Sequence, residues 1–337
     1  MTSEARGKRT LVSIVGSYNV GLFLKSRRLP HPGETVIGDQ FHEGGGGKGS
    51  NQAVAAHRLG AEVRFVGRIG ADKYGTDALR MYRQEGMAAD GIFVDPTTHT
   101  GISVILIGSD GTNMISVIPG ANFNFSKKDI DDAVPLFQQS AIVGFQLENR
   151  LDVIAHGIRR ASESGASVLL DPAPAEPLPE DLLPLVTYMK PNEHEAAVIT
   201  GIEVTTVASA ERAGQWFLER GVKNAIITLG EDGCLLVNQD GSRHFPTHVV
   251  DAVDTTGAGD AFSGALIAGL SGGSALEEAV EFANAAAAVS VTKLGVVEAI
   301  PTKTEVEAFL SERTDRGNPS AALSASRAND TRSKPGG

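Results

Sequence analysis

The residues best suited to chemistry lie in one glycine-rich stretch, DAVDTTGAGDAFSGALIAGL, at positions 251–270. Small residues at 255–259 precede an apolar helical pattern that begins at Asp260. Glycines permit a tight turn that presents backbone N–H groups at the positive end of a helix, and such amides bind anions. The stretch therefore predicts an anion hole with a carboxylate in the first turn of the helix.

Asp260 has two explanations. A carboxylate in the first turn of a helix often interacts with the helix dipole or caps the backbone, which is worth about 1 kcal/mol, and for an isolated match this is the better explanation. Asp254, however, lies six residues earlier, so two carboxylates flank one anion hole. Capping requires only one of them. The pair favours a catalytic base together with a ligand for an ion or a substrate.

A second glycine-rich stretch, EGGGGKGSNQ at 43–52, formally matches the dinucleotide pattern G-x-G-x-x-G through Gly44, Gly46 and Gly49. That motif should follow the first strand of a βαβ unit, whereas this stretch follows a hairpin-like segment. It also fails as a P-loop, because Lys48 is followed by glycine and not by serine or threonine. Neither standard phosphate-binding motif explains it.

A third stretch, ITLGEDG at 227–233, is a turn that follows an apolar strand pattern. Open α/β sheets bind ligands at the carboxyl ends of their central strands. On its own this turn is a weak indicator of a site.

Short apolar, β-branched segments alternate with amphipathic helical patterns along most of the chain. This alternation predicts an α/β fold with a mostly parallel, doubly wound sheet and helices on both of its faces. The predicted strands cover 10–16, 63–70, 140–146, 167–172, 187–191 and 224–230, and the predicted helices cover 50–58, 76–84, 151–163 and 210–219.

Two segments, 19–42 and 100–120, interrupt this rhythm with hairpin-like patterns. We predict that they form a small antiparallel sheet inserted into the α/β body as a lid over a site, although two structural hairpins fit the periodicity equally well. The domain is predicted to cover 10–312. Residues 313–337 are rich in Ser, Ala, Asn, Pro and Gly, which predicts a disordered tail.

The composition argues against several classes of function. The chain has 337 residues and a formal net charge of −11, with no basic stripe to neutralise a nucleic-acid backbone. Cys234, its one cysteine, lies in an apolar run and is expected to be a buried hydrophobic residue. No apolar segment follows the polar N-terminus, and no run of about 18 apolar residues predicts a membrane span. We expect a soluble, cytoplasmic protein with no nucleic-acid or membrane partner.

Together these motifs resemble the PfkB carbohydrate kinase family, and within it the ribokinase branch. GGGGKGSNQAVAAHRLGAEVRFVGRIGAD is similar to the N-terminal signature of the family, and DAVDTTGAGDAFSGAL to its highly specific C-terminal signature. PGETVIG, QLE, DPAPA, KPNEHEA and FANAAAAVSVTKLG follow in the expected order. The resemblance implies a three-layer α/β/α domain with a small β-sheet lid that is often also a dimer contact, so a homodimer is expected.

The resemblance also implies the activity. It implies an enzyme that transfers the γ-phosphoryl group of ATP to a primary hydroxyl group of a pentose or related sugar. Asp260 matches the catalytic base of the family, which accelerates such a step by about 10²–10⁴-fold. The amides of Gly257, Ala258 and Gly259 match the anion hole that stabilises charge on the transferred group.

Three sets of ligands carry over by the same matching. The sugar-binding positions are Asn19, Gly21, Gly46, Gly47, Lys48, Asn51, Glu148 and Asp260. The nucleotide-binding positions are Asn192, Thr228, Gly230, Gly259 and Asn284. Glu195 matches a Mg²⁺ position that acts through water, and a monovalent cation, K⁺, is implied at Asp254, Thr256, Val291, Leu294 and Val296. Asn192 and Glu195 fit a helix N-cap with a first-turn glutamate equally well.

Two positions depart from the pattern. Gly21 stands where ribokinases carry an aspartate that contacts ring hydroxyls, and Ala299 stands where a serine often binds the cation. An unpaired hydroxyl costs about 1–3 kcal/mol, which puts ribose itself in question.

Other acceptors therefore stay open, namely 2-deoxyribose, fructose, a keto-deoxy sugar acid or a nucleoside. A sugar acid would need an arginine to bind its carboxylate, and the candidates are Arg27 and Arg28 in the predicted lid. A nucleoside would need an aromatic platform such as Tyr18, Phe23 or Phe41. A non-catalytic sugar or nucleotide sensor is disfavoured, because a binding protein has no need of the intact base and anion hole.

Overall fold

Two separate β-sheets organise the chain. The computed structural model describes residues 11–317, with the side chains of residues 11–313. Within that range the strands are β1 (Leu11–Val15), β2 (Asn19–Lys25), β3 (Gln40–Gly46), β4 (Glu62–Gly70), β5 (Ile92–Asp95), β6 (Gly101–Ile107), β7 (Asn113–Ile118), β8 (Ser140–Phe145), β9 (Ser167–Leu170), β10 (Tyr188–Met189), β11 (Asn224–Thr228), β12 (Cys234–Asn238) and β13 (Gly241–Phe245).

The helices fall mostly between the strands of the larger sheet. In chain order they are α1 (Lys48–Arg58), α2 (Lys73–Gln84), α3 (Lys127–Gln139), α4 (Leu151–Glu163), α5 (Glu193–Thr200), α6 (Val207–Glu219), α7 (Ala258–Gly272), α8 (Leu276–Ser290) and α9 (Lys303–Gly317). Short 3₁₀ helices cover Gly120–Asn124, Glu180–Leu185 and Gly230–Asp232.

The larger sheet is doubly wound. In the part of the chain that the structure describes it has nine strands, in the order β13-β12-β11-β10-β9-β8-β1-β4-β5. Neighbouring strands from β11 to β5 are parallel, and β12 and β13 add two antiparallel pairings at one edge. Val12 and Ile14 pack into a core with α1, α7 and α8, whereas Val15 packs into a second core with α3, α4 and α6. The predicted α/β fold with helices on both faces is confirmed.

The predicted strands and helices of this sheet recur with shifted ends. The six predicted strands correspond to β1, β4, β8, β9, β10 and β11, and the four predicted helices to α1, α2, α4 and α6. Helix α4 has the predicted bounds, whereas α1 and α2 begin two and three residues earlier than predicted. Cys234 is fully buried, as expected, and burial raises the pKa of its thiol to about 12.

The second sheet is small and mixed. Its strand order is β3-β2-β6-β7. β2 pairs with β3 and β6 pairs with β7 in antiparallel fashion, but β2 and β6 run parallel. The prediction of a purely antiparallel sheet was therefore wrong, because a hairpin pattern fixes each hairpin and leaves open how the two hairpins join. The first segment also extends further than predicted, since β3 continues to Gly46.

The ends of the chain bear on the predicted domain bounds. Helix α9 continues to Gly317, so it overlaps the first part of the predicted tail, 313–337. The remainder of that tail and residues 1–10 lie outside the described residues. Among the described helices, none combines the length and the hydropathy needed to cross a bilayer.

Close contact between α1 and α7 sets the geometry at the centre of the molecule. A β-carbon added at Gly264 of α7 would lie 2.4 Å from the β-carbon of Ala55 and 2.8 Å from the amide nitrogen of Ala56. The glycine is thus required by packing between helices. The contact brings the first turns of both helices together, at the carboxyl end of the large sheet.

We expect Gly264→Ala to lower the free energy of unfolding by about 1–3 kcal/mol, because the added methyl group has no space between α1 and α7. Gly272→Ala is the matched control, since it lies in the same helix and no atom lies within 4 Å of its added β-carbon. The control should be neutral or stabilising by up to about 1 kcal/mol. Urea denaturation of both variants measures the difference, and equal effects would contradict the proposed packing constraint.

Candidate active site

Four neighbouring strands end at the same edge of the large sheet and present polar residues there. Gln146 follows β8, Asp171 follows β9, Lys190 follows β10, and Thr228 is the last residue of β11. The first turns of α1 and α7 face this edge. Open α/β sheets bind ligands at such carboxyl ends.

Asp260 is the third residue of α7 and is 5% exposed. Its Oδ2 accepts a hydrogen bond of 2.8 Å from Asn51 Nδ2, and its Oδ1 accepts one of 3.1 Å from Gln52 Nε2. No side chain caps α7, whose N-cap residue is Gly257. The capping explanation of Asp260 therefore does not apply. Two side-chain amide groups of α1 instead hold this carboxylate at the edge of the site.

The loop before Asp260 leaves amide groups available. Gly257 has φ 80°, a left-handed conformation that glycine adopts readily, and it opens α7. The Ala258 amide donates a long hydrogen bond of 3.3 Å to Thr255 O. Within the described residues, the amides of Gly257 and Gly259 donate to no protein acceptor. Gly259 is exposed and Gly257 is half-buried, and both amides lie at the positive end of the helix dipole.

A buried ion pair between Lys190 and Asp171 contacts this loop. The sequence motifs assigned no role to these two residues. Lys190 and Asp171 are 3% and 1% exposed, and Nζ lies 3.0 Å from Oδ2. Lys190 Nζ also donates to the Gly259 carbonyl oxygen at 3.3 Å. Gln52 Nε2 donates to Asp171 Oδ2 at 2.8 Å as well as to Asp260, so one amide links both carboxylates.

Further polar groups complete this network. Ser263 Oγ donates to Asp171 Oδ2 at 3.1 Å, and Gln146 Nε2 donates to Gln52 Oε1 at 2.6 Å. The signal available in the sequence was a single polar residue directly after each apolar strand. Each such residue is ordinary by itself, and only their convergence makes them a site.

Lys48, the first residue of α1, belongs to the same electrostatic cluster. The negative charge of Asp260 is the main cause that raises the pKa of Lys48, and Asp171, Glu148 and Glu195 act in the same direction, while burial opposes them. Its backbone amide donates to Glu148 Oε2 at 2.8 Å, and Ser17 Oγ donates to the same carboxylate. Lys48 therefore stays charged close to Asp260.

The predicted sugar-binding residues line the junction of α1 with the small sheet. Asn19 pairs with Gly46 across β2 and β3, and it is 3% exposed. Asn122, which sequence reasoning missed, donates from Nδ2 to Asn19 Oδ1 at 2.9 Å. A β-carbon on Gly46 would meet nothing nearer than 3.8 Å, so this backbone is open to a ligand. Asn51 lies one turn into α1 and reaches Asp260.

Gly47 and Gly49 have a different reason to be glycine. Gly47 has φ 91°, and a β-carbon there would lie 2.8 Å from the amide nitrogen of Asn19. A β-carbon on Gly49 would lie 2.7 Å from the α-carbon of Gly16. The chain itself, and not a ligand, approaches these two positions.

Phe23 occupies the space beside Gly21. The two residues lie on the same face of β2, and a β-carbon on Gly21 would lie 2.6 Å from Phe23 Cε2. An aspartate at position 21 would therefore displace the aromatic ring. The lack of a carboxylate at position 21 and the position of the Phe23 ring are therefore coupled.

On the nucleotide side, Asn192 and Glu195 form a complete capping box at the start of α5. Asn192 Oδ1 accepts from the Glu195 amide, and Glu195 Oε2 accepts from the Asn192 amide, both at 2.8 Å. The pKa of Glu195 is raised, mainly by burial. The charge of Lys190 acts in the opposite direction, and the charge of Asp171 raises it further. The helix-capping role that the sequence left open for Asn192 and Glu195 is therefore present. Glu195 also places a buried carboxylate close to the site.

The other nucleotide positions lie at adjacent loops. Thr228 bridges to Asn192 as a parallel partner, and Gly230 follows with φ 52°. Asn284, 5% exposed on α8, donates from Nδ2 to the Pro246 carbonyl oxygen at 2.8 Å. Its side chain therefore fixes the loop after β13.

The predicted cation ligands lie together, and several of their oxygens already accept hydrogen bonds. Asp254 accepts from the Thr256 amide at 2.9 Å and from the Gly295 amide at 3.2 Å. The Val291 carbonyl accepts from the amides of Val253 and Asp254, and the Val296 carbonyl accepts from Ala299. The Leu294 side chain is exposed, and the buried Ala299 adds no side-chain oxygen. In the described range, no cluster of three His, Cys, Asp or Glu residues could hold a metal.

Comparison with known proteins gives one consistent result. The family model described as pfkB family carbohydrate kinase matches residues 9–303. The chain is 36% identical over 302 residues to the ribokinase of Haemophilus influenzae, covering 90% of this chain and 99% of that protein. It is 33% identical over 301 residues to the deoxyribokinase of Salmonella typhi, covering 89% and 98%.

A solved structure has the same fold as this chain. The ribokinase of Arabidopsis thaliana, complexed with ribose and ATP, is 30% identical and superimposes with a TM-score of 0.84. The match covers 90% of this chain and 98% of that one.

The buried ion pair can be tested by a double-mutant cycle. We expect Lys190→Met alone to lower the free energy of unfolding by about 3–5 kcal/mol, because it leaves the Asp171 charge buried without its counter-ion. Lys190→Met combined with Asp171→Asn should recover most of that loss. Urea denaturation of the two single variants and the double variant gives the coupling energy. Strictly additive losses would show that the two side chains do not interact.

Proposed function

This chain belongs to the pfkB family of carbohydrate kinases and is a ribokinase-like sugar kinase, and from that premise we propose that it transfers the γ-phosphoryl group of ATP to a primary hydroxyl group of a pentose or related sugar. One observation carries the proposal. A buried carboxylate, Asp260, is held by two amides directly beside the open backbone N–H groups that begin α7. Base and anion hole thus stand side by side.

Asp260 acts in this proposal as the general base. Its carboxylate accepts the proton of the primary hydroxyl as the oxygen attacks the γ-phosphorus and the bond to ADP breaks. The amides of Gly257 and Gly259, with that of Ala258, stabilise the charge on the transferred phosphoryl group. Lys48 lies close to Asp260 and adds positive charge on the acceptor side.

The sugar lies, in this proposal, between α1 and the small sheet. Asn19, Asn51 and Glu148 offer polar side chains there, and the open backbone at Gly46 allows close approach. Polyols need donors and acceptors at hydrogen-bonding distance on several sides, which this wall supplies. The small sheet acts as the lid that excludes water.

Mg²⁺ fits the nucleotide side. Glu195 is a buried carboxylate whose pKa is raised by burial, so nearby positive charge would stabilise its ionised form. Mg²⁺ keeps several water ligands and typically binds phosphates together with one or two carboxylates. We propose that Asn192 and Glu195 hold Mg²⁺ through water, while Thr228, Gly230 and Asn284 contact the nucleotide.

For K⁺ the fit is weaker. Asp254 and the carbonyls of Val291 and Val296 are the oxygen ligands that such a cation prefers, but each already accepts a backbone amide. A monovalent cation would share these oxygens and neutralise Asp254 beside the anion hole. We propose this site with Thr256 and Leu294 supplying further carbonyl oxygens. An ATP-consuming enzyme also requires a compartment that contains ATP, and we propose the cytoplasm.

We expect Asp260→Asn to lower turnover by about 10²–10⁴-fold while sugar affinity is retained. The fold tolerates this change, because Asn51 Oδ1 has no partner and can accept from the new amide after a flip. Asp251→Asn, at an exposed aspartate of the same glycine-rich stretch, is the matched control and should keep full activity. A coupled ADP-release assay and calorimetric sugar titration separate turnover from binding. An active Asp260→Asn enzyme would refute the assigned base.

We also propose a homodimer through the small sheet. Its edge strand β7 is exposed along its whole length, with Met114, Ile115, Val117 and Ile118 all 48–61% exposed. An apolar, unpaired edge strand of this kind invites a second chain.

Ile115→Lys should therefore convert a dimer into a monomer, measured as mass by light scattering. Val94→Lys, at an exposed apolar residue of the edge strand β5, is the control and should leave the mass unchanged. A monomeric wild-type protein would contradict the proposal.

A further inference from the structure

The small sheet carries a slot without side chains on the face that holds Asn19. Cross-strand pairing places Gly21 opposite Gly44 and Asn19 opposite Gly46. Residues directly opposite each other share a face, so Gly21, Gly44 and Gly46 form one continuous floor, which we call the glycine slot. Its inner end, at Asn19, lies against Gly47, one helical turn from Asn51 and therefore close to Asp260.

The outer end of the glycine slot is closed by two rings. Phe23 and His42 are opposite each other in the same register, and their ring centroids lie 5.8 Å apart. The phenylalanine ring lies beside Gly21, so that β2 has no room for a carboxylate at that position. The Phe23 ring thus covers Gly21, and His42 Nε2 lies 3.2 Å from where a β-carbon on Gly44 would stand, so the slot is open at Gly46 and bounded at Gly44 by His42 and Glu298.

A carboxylate reaches this slot from the other side of the cleft. Glu298 belongs to the segment between α8 and α9, and its Oε1 lies 3.6 Å from where a β-carbon on Gly44 would stand. The same oxygen lies 3.9 Å from His42 Nε2. The Glu298 side chain is about half exposed, at 55%, so its oxygens can accept further hydrogen bonds.

The segment that carries Glu298 is anchored to the anion-hole loop. Asp254 accepts the Gly295 amide at 3.2 Å and the Thr256 amide at 2.9 Å. A β-carbon on Gly295 would lie 3.0 Å from Glu298 Oε2, so the glycine leaves space for that side chain. Asp254 therefore fixes the position of Glu298 relative to the reacting groups.

The face of the small sheet that forms the slot has no carboxylate of its own. Its positions on β2, β3 and β6 are Asn19, Gly21, Phe23, His42, Gly44, Gly46, Gly101, Ser103 and Ile105. A carboxylate is acceptor-only and offers two oxygens, which matches two neighbouring hydroxyl groups. Glu298 lies beside Gly44 and His42, at the outer part of this slot.

We propose that Glu298 binds a vicinal pair of sugar hydroxyls in the glycine slot and determines the choice of acceptor. The inference rests on the proposed sugar kinase function and names the chemistry that the site recognises. The sugar carries its transferred hydroxyl towards Asp260 and a vicinal diol towards Glu298. A carboxylate from the segment after α8 thus takes the place of one from β2.

The test compares ribose, 2-deoxyribose and 3-deoxyribose in four proteins, wild type, Glu298→Ala, His42→Ala and Glu307→Gln. Glu307 is an exposed glutamate of α9 near Lys303 and serves as the matched control. In the wild type, loss of either hydroxyl should lower kcat/KM about tenfold or more, as expected for hydrogen bonds to a charged group. Glu298→Ala should lower kcat/KM for ribose by a similar factor through KM, with the KM for ATP unchanged.

The deoxy sugars supply the decisive comparison. With Glu298→Ala, kcat/KM for 2-deoxyribose and 3-deoxyribose should fall by a smaller factor than kcat/KM for ribose, because one of the two hydrogen bonds to Glu298 is already absent in these sugars. His42→Ala removes the contact between the small sheet and Glu298 but keeps the carboxylate, and it should preserve the preference for ribose. Glu307→Gln should behave as the wild type.

The outcomes separate the two proposals. A wild-type enzyme that phosphorylates none of the sugars would refute the proposed function and this inference with it. An active wild type whose ribose KM changes less than twofold in Glu298→Ala would refute the inference alone. Equal losses with all three sugars in Glu298→Ala would show a clasp between Glu298 and His42 and would likewise overturn it.

Discussion

The hydrogen bonds from Asn51 and Gln52 to Asp260 are the interaction on which the rest of the site depends. They require the first turns of α1 and α7 to lie side by side, and the missing side chain at Gly264 permits that contact. They also hold both carboxylate oxygens with neutral donors and without a direct ion pair. The Asp260 carboxylate is therefore oriented by α1, as the proposed role of a general base requires.

Charge balance matters for the groups around Asp260. Lys48 and Lys190 face four acidic groups, those of Glu148, Asp171, Glu195 and Asp260. Acidic groups therefore outnumber lysines in this cluster. A nucleotide polyphosphate can enter such a site only if cations accompany it, because like charges at short range in a poorly solvated cleft repel strongly. The metal ions proposed here follow from this excess as well as from the residues that would hold them.

What can be predicted from the sequence depends on how far apart in the chain the interacting residues lie. Local periodicity predicted six of the nine strands that the structure describes in the large sheet, and the bounds of α4, because burial dictates residue spacing, whereas β5, β12 and β13 were not predicted. It did not predict the parallel pairing of β2 with β6, which joins two distant hairpins. The same limit applies to the site. Asp260 stands in a specific motif, whereas Lys190 and Asp171 are ordinary residues until the strands bring them together.

The separate roles of the glycines were the features that the sequence predicted least well. Sequence reasoning treated the run from Gly44 to Gly49 as one feature. The structure divides it, since Gly47 and Gly49 allow the chain to pass its own backbone, Gly44 lies against His42, and Gly46 leaves space towards the cleft. Asn192 and Glu195 carry a similar lesson, because their capping box is present whether or not the pair also holds an ion.

The contact between Gly21 and Phe23 has a consequence for how this surface can change over time. A side chain at position 21 would meet the Phe23 ring at 2.6 Å, so an aspartate there requires the ring to move or to be replaced. The effect of a substitution at position 21 therefore depends on the residue at position 23, which is epistasis between two positions on one face of a strand. A lineage that introduces an aspartate at position 21 is thus expected to change position 23 as well.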